Sequence, residues 1–365
     1  METEAAALWR AVVAAPHDDA PRLILADHLE EHGQTERAEF VRIQCRLAAA
    51  EEDAPEGVAL DRRERQLWMK FKSAWRASLP ALVREFPFHR GFVRPRLVRN
   101  SKQFLRLTDD LLDQAPLWDA RLTVRGPTAL DGLVSARGLS RLGGLEIDAA
   151  GLGPDHLADF LACPDLANVR EFGLRGGPYT AHHVRAVAES PAASRLTRLT
   201  VSSAPAIGPA GAEVLAASPA VRNLRELTLT NCGLGDGGLR ALLASPHLTG
   251  LKELQVPSNG LTAAAVRALR EWRHLRGLRV LNLFNNHLDD DGARVLSLCP
   301  SVDRLTQLDL GLNRIHKSGA ESLAQSPFLM RVRRLSLLGN PCTYDPATVT
   351  GLRFRFADRV TLTER

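Results

Sequence analysis

The sequence predicts an α/β protein: a solenoid of 27-residue units, each one strand and one helix, preceded by a small all-helical amino-terminal domain. Three observations carry this reading. A fixed spacing of leucines and asparagine recurs over residues 142–340 of the 365-residue chain. A proline recurs late in most of those units. Residues 1–50 lack the spacing and place apolar residues at helical intervals instead.

The repeat is clearest at Leu278, Leu281, Leu283, Asn286 and Leu288, which occupy every fixed position of L-x-x-L-x-L-x-x-N-x-L. A step of 27 forward gives Leu305, Leu308, Leu310, Asn313 and Ile315, and a step of 27 back gives Leu251, Leu254, Val256, Asn259 and Leu261. A further step back gives Leu224, Leu227, Leu229, Cys232 and Leu234, with cysteine in the asparagine place. Weaker copies start at Leu196, Val169 and Leu142, and a shortened one starts at Val332. The eight starts lie 27 apart except for a single interval of 28.

Within a unit, positions 4 and 6 point to one face of a strand while positions 3, 5 and 7 point to the other, by the two-residue pleat. The asparagine at position 9 marks the turn out of the strand, where its amide can satisfy backbone groups of neighbouring turns. A helix then carries an apolar residue at position 19 (Leu242, Leu269, Leu296, Leu323). Prolines 164, 191, 219, 246, 300 and 327 are expected to end the helices, because proline cannot continue one.

Residues 142–340 resemble the ribonuclease-inhibitor-like class of leucine-rich repeats. The resemblance implies a curved solenoid with a parallel sheet on the concave side and helices on the convex side, used mainly for protein recognition. Residues 341–365 are expected to form a carboxyl-terminal cap. Leu352 and Phe356 sit at helical spacing, and Leu362 falls where position 4 of a ninth unit would lie.

Helices are expected over 3–15, 19–32 and 36–50, with Gly33 separating the last two. The run from Pro16 to Gly33, with Asp27, His28 and Glu31, followed by Arg37, Glu39, Phe40 and Arg42, resembles the repeat-companion domain of bacteria. His28 stands where that pattern has an aromatic residue. Residues 51–57 read as an acidic linker. Residues 58–141 read as the solenoid's amino-terminal cap, with a helix through Leu60, Leu67, Phe71, Trp75 and Leu79, a strand over 90–98, and a helix through Phe104, Leu107, Leu111 and Leu112.

The net charge of +5 hides two opposed blocks. Residues 1–61 hold five basic and fourteen acidic side chains; residues 62–106 hold thirteen basic and two acidic. The basic block also carries Trp68, Phe71, Trp75, Phe86, Phe88, Phe92 and Phe104. Cations with aromatics can bind single-stranded nucleic acid. These aromatics fall at helical core spacing, however, so they are assigned to packing and nucleic acid is not an expected partner.

No residues present themselves for catalysis. His28, Glu31 and His32 match H-x-x-E-H, a zinc-peptidase motif, but no third ligand is identifiable and the companion-domain pattern covers the same residues. Five cysteines (45, 163, 232, 299, 342) form no Cys-x-x-Cys pair. There is no phosphate loop and no paired-carboxylate signature. No enzyme activity, metal or cofactor is therefore expected. The acidic amino terminus and the lack of a long apolar run point to a cytoplasmic protein without a membrane segment.

The remaining candidate is the concave face. Position 5 is small or polar throughout and includes Gln255, Asn282 and Asp309. Position 7 becomes apolar late, at Phe284 and Leu338, with Leu312 at position 8. An apolar patch with a polar rim is the anatomy of a protein-binding surface. The expected function is non-catalytic binding of a protein partner through these six residues; the alternative that the family resemblance raises is regulation of a small GTPase.

Overall fold

The computed structural model describes residues 4–49, 55–77, 79, 81–106, 112–113, 115–134 and 136–362. They fall into two compact units. One comprises Met1–Leu122 with Gly132–Leu145, the other Thr123–Asp131 with Glu146–Arg365.

The first unit opens with helices α1 (Glu4–Ala14), α2 (Ala20–Glu31), α3 (Thr35–Ala49) and α4 (Pro55–Ala77). Residues 55–57, read as linker from their composition, form the first turn of α4, where proline's fixed φ suits a helix start; residues 51–54 lie outside the described residues. Ala26, Ala38, Val41 and Cys45 bury against Leu29 and Phe92. Phe40, Ile43 and Leu67 bury against Trp68, Phe71, Trp75 and Phe88. Trp68, Phe71, Trp75, Phe88 and Phe92 of the basic block therefore pack with residues of α3, and none of the block's described aromatics is exposed. Its charges also reach the acidic block: Arg63 grips Glu39 through two bonds of 2.7 Å, and Arg90 meets Asp19 at 3.2 Å.

The single strand expected over 90–98 is instead a hairpin, β1 (Phe88–His89) with β2 (Phe92–Val93), followed by β3 (Arg96–Asn100). Arg90 (φ 49°) and Gly91 (φ 86°) form its turn. Positive φ at both central residues gives a two-residue turn whose twist matches the strands. Glycine is required at 91 for a second reason: a Cβ there would come 2.6 Å from Val41 Cγ2. Arg37 fastens this hairpin, donating to the Gly91 carbonyl from within a ring of Phe40, Trp75, Phe88 and Phe92 at 4.9–5.8 Å. Burial pulls its pKa down to about 10. Of the helix expected through Phe104 and Leu112, the described residues show a turn of helix over Ser101–Phe104 and a helical Leu112; Leu107 and Leu111 lie outside the described residues.

Strands β4 (Trp118–Arg125) and β5 (Leu142–Ala150) lead into the repeats. In the second unit β6 (Glu171–Arg175), β7 (Arg198–Ser202), β8 (Glu226–Thr230), β9 (Glu253–Gln255), β10 (Val280–Asn282), β11 (Gln307–Asp309), β12 (Arg334–Ser336) and β13 (Val360–Thr361) pair in parallel in chain order. The register joins equal positions of successive units: Leu254, Leu281 and Leu308 are partners, as are Gln255, Asn282 and Asp309. Parallel neighbours need a crossover, and the helix of each unit supplies it. Positions 4 and 6 are buried in every unit, from Leu145 and Ile147 to Leu335 and Leu337. The expected inward pair is thus the inward pair throughout.

The asparagine column forms a ladder. Asn286 Oδ1 accepts from the backbone N–H of Asn259 (2.9 Å) and Leu261 (3.0 Å), while its Nδ2 donates to the carbonyls of Val256 (3.1 Å) and Leu283 (3.0 Å). Asn259, Asn313 and Asn340 repeat the arrangement. Cys232 keeps part of it, its Sγ lying 3.5 Å from the carbonyls of Val201 and Thr230.

Two expectations are corrected in detail. The prolines do not themselves end the helices, which stop two or three residues earlier at Leu161, Ala188, Leu243, Ser297 and Gln325; Pro164, Pro219 and Pro300 instead open short 3-10 turns, where the missing N–H costs nothing. In the cap, Leu352 and Phe356 are buried on the helix Pro346–Phe356 as expected. Val360, however, pairs with Leu335, which places Leu362 level with position 6 rather than position 4. The tight turn Ala357–Arg359 shortens the connection.

Candidate protein-binding face

The outward face of β6–β12 changes character along the array. On the early strands, Arg198 bridges Glu171 (2.9 Å) and Glu226 across neighbouring strands, so charge there is already paired. On β10–β12 the outward residues are Asn282, Phe284, Asp309, Ser336 and Leu338, all half-buried. Phe284 lies across Gly311, where a Cβ would come 2.9 Å from its ring. Leu312 lies across Gly339 in the same manner, with its Cδ2 against the place a Cβ would take. Each large side chain thus rests on a glycine of the following unit. The Leu312 N–H donates to the Leu338 carbonyl at 2.6 Å, which holds these two apolar residues together.

The three polar residues of the candidate set are partly engaged. Asn282 Oδ1 accepts from Phe284 N–H and Asp309 Oδ1 from Gly311 N–H, both at 2.9 Å, closing the chain over at the strand ends. Gln255 Nε2 donates to Glu253 at 3.2 Å. The side-chain oxygen of Asn282 and one oxygen of Asp309 therefore position the apolar patch.

Position 8 is the residue class that the spacing rule missed. Gly176, Ser203, Asn231, Ser258, Asn285, Leu312 and Gly339 all occupy it, and all have φ between 49° and 70°. The first six N–H groups of this column, Gly176 to Leu312, donate to the position-7 carbonyl of the next unit, as Asn285 does to Gly311 (2.8 Å), so the left-handed conformation there is imposed by the array. Glycine, asparagine and, less well, serine tolerate it; a leucine costs roughly 1–2 kcal/mol there. Leu312 is nevertheless 44% exposed. The signal was legible in the column itself, where a leucine stands among glycine, serine and asparagine.

The other candidates do not assemble. The His28 and His32 rings lie 4.1 Å apart, and His32 Nδ1 is 2.8 Å from its own helix carbonyl at His28. No group of three or more His, Cys, Asp or Glu able to hold a metal occurs among the described residues. Three cysteines are unreactive by environment: burial pushes the thiols of Cys45 and Cys232 up to about 12 and that of Cys342 to about 11. Cys299 is buried as well, and Cys163 is half-exposed. Iodoacetamide at mildly alkaline pH should therefore label the native protein first at Cys163, with the other four reacting only after unfolding. Mass spectrometry of the peptides reads this directly.

The model for the family "Leucine Rich repeat" matches residues 222–243, 274–297 and 305–324, which include Asn286 and Asn313 of the ladder and Phe284 and Leu312 of the patch. The chain carries leucine-rich repeats. No curated protein matches the chain in sequence. Solved structures to which this leucine-rich-repeat chain is similar include the complex of Rad7 and Elc1 from yeast, at 14% identity over 93% of this chain and 89% of that one, with a TM-score of 0.48. A protein from Bacteroides fragilis gives 12% identity over 64% and 69%, TM-score 0.36. The Arabidopsis receptor kinase HAESA, solved with a peptide hormone and a co-receptor, gives 14% over 72% and 39%, TM-score 0.32. Among the described residues of these repeats and of the helices before them, no helix is long and apolar enough to cross a membrane.

Proposed function

We propose that the chain is a non-catalytic binding protein whose protein partner docks on the outward face of β10–β12, with Phe284, Leu312 and Leu338 as the apolar anchor and Asn282, Asp309 and Gln255 as its polar rim. The observation that carries this reading is Leu312: a half-exposed leucine kept in a left-handed conformation at φ 50°. Residues held in strained conformations by the surrounding structure cluster at functional sites. The neighbouring Phe284 supplies an aromatic side chain, the type that most often dominates binding energy at such surfaces.

The reading makes stability and binding move in opposite directions. Leu312→Asn should raise the stability of the free protein by about 1 kcal/mol, because asparagine relieves the strain, and should weaken partner binding. A urea titration of the free protein measures the first effect. A photo-crosslinking amino acid placed at position 312, with one at Thr200 as reference, measures where the partner lies. Crosslinks to the partner from 312 and none from 200 are expected; the reverse pattern would move the site to the early repeats.

A further inference from the structure

The edge of the sheet at which the chain enters each strand carries a column of cations that the binding face does not use. Position 2 of units two to eight holds Arg170, Arg225, Lys252, Arg279 and Arg333, with Thr197 and Thr306 between them. Their backbones are locked in register. The Arg225 carbonyl accepts from the N–H of Lys252 (2.7 Å) and Glu253 (3.0 Å), the Lys252 carbonyl from Arg279 (2.7 Å) and Val280 (3.2 Å), and the same pair of bonds recurs from Arg170 to Arg334. The column contains no acid. Arg195, Arg222 and Arg304, all exposed, lie two or three residues ahead of it.

Like charges crowd here. After burial, the cause next in size that pulls Arg170 below the usual guanidinium range is Arg195. The neighbouring acids are largely committed: Glu171 and Glu226 to Arg198, and Asp303 to Arg276 at 2.9 Å. Glu253 receives Gln255, while Glu189 and Glu271 stand at the helix ends. Arg225 lies over Gly250 and donates to its carbonyl at 3.0 Å, which fixes the side chain without neutralising it.

We propose that this edge binds the phosphate backbone of double-stranded nucleic acid. At about 4.8 Å per strand the column from Arg170 to Arg333 runs roughly 29 Å, the rise of about eight or nine base pairs. Most of its cations are arginine, whose planar fork matches phosphate oxygens. Its surroundings exclude the other polyanions. A single strand needs exposed aromatics for stacking, and Trp272 is only 5% exposed. An acidic protein or a lipid surface needs apolar contact, and among the described residues 162–333 the large apolar side chains exposed besides Leu312 of the binding face are Leu298 and Met330, too few for such a patch.

The test is fluorescence anisotropy of the full chain with a labelled 16-base-pair DNA duplex of arbitrary sequence, titrated between 50 and 200 mM salt. Binding should weaken steeply with salt, and Arg225→Glu with Lys252→Glu should reduce the slope of log K against log salt by about 2 and the affinity at 100 mM at least about tenfold. The neutral pair Arg225→Gln with Lys252→Gln, less disturbing to folding, should lose the same slope. Arg62→Glu with Lys70→Glu, on the basic segment of the first unit, should leave both unchanged. The proposal fails if that second pair removes binding and the first does not. It fails equally if a polyglutamate peptide or the single-stranded oligonucleotide binds more tightly than the duplex, or if no salt-sensitive binding occurs at 50 mM.

Discussion

Leu281→Asp is expected to abolish cooperative folding of the repeat array. Leu281 is fully buried at the centre of β10 and is in register with Leu254 and Leu308 on either side. The substitution removes a leucine from a packed row, worth about 2–5 kcal/mol, and leaves a carboxylate with no partner, worth several kcal/mol more. A domain stable by about 5–15 kcal/mol does not reliably survive that sum. Because each unit contacts its neighbours on both sides, the loss spreads to them. A circular-dichroism melt should show a broad, early transition, whereas Leu281→Ile, nearly isosteric, should cost less than about 1.5 kcal/mol. A Leu281→Asp melt that superimposes on the parent would refute the inward assignment of position 4.

Asn286→Ala should be the costliest polar substitution on the ladder. It strips the acceptor from two buried N–H groups, of Asn259 and Leu261, and a donor from the carbonyls of Val256 and Leu283, of which Leu283 keeps its bond from Asn313. Each buried group left without a partner costs about 1–3 kcal/mol, so a total near 4 kcal/mol is expected after partial relaxation. Asn286→Cys should cost less than alanine, since Cys232 holds the same place and its Sγ reaches two carbonyls. Urea denaturation of the three proteins reads the order; alanine and cysteine variants of equal stability would show that the ladder is not what binds the turns together.

The repeat was readable because its physics is periodic. A pleat period of two inside a unit period of 27 leaves little freedom, and Leu281, Leu283 and Asn286 sit where that arithmetic puts them. What was not readable depends on backbone geometry that spacing does not encode. Arg90 and Gly91 looked like the interior of a strand because the segment is rich in strand-forming residues; only a turn with positive φ at both residues reverses the chain there. The prolines marked the ends of helices correctly but not their role, since a 3-10 turn uses the same fixed φ.

The candidate face divides in the same way. That Phe284 and Leu338 lie on one side of the sheet near its carboxyl end follows from the repeat arithmetic, whereas Leu312, at position 8, joins them through its bond to the Leu338 carbonyl. That Phe284 and Leu312 each rest on a glycine of the next unit does not follow from that arithmetic, nor does the use of one oxygen each of Asn282 and Asp309 to close the strand ends. The strain at Leu312 could have been suspected from its column but needed the backbone angle to become an argument.

The binding claim is tested most directly by titrating the partner against two single variants, Phe284→Ala and Thr200→Ala, beside the parent chain. Both positions lie on the outward face, and both substitutions should leave the melt nearly unchanged. Phe284→Ala should weaken binding by about 2 kcal/mol or more, roughly thirtyfold, and Thr200→Ala by no more than a few-fold. Abolition of binding by Thr200→Ala with Phe284→Ala indistinguishable from the parent would contradict the account.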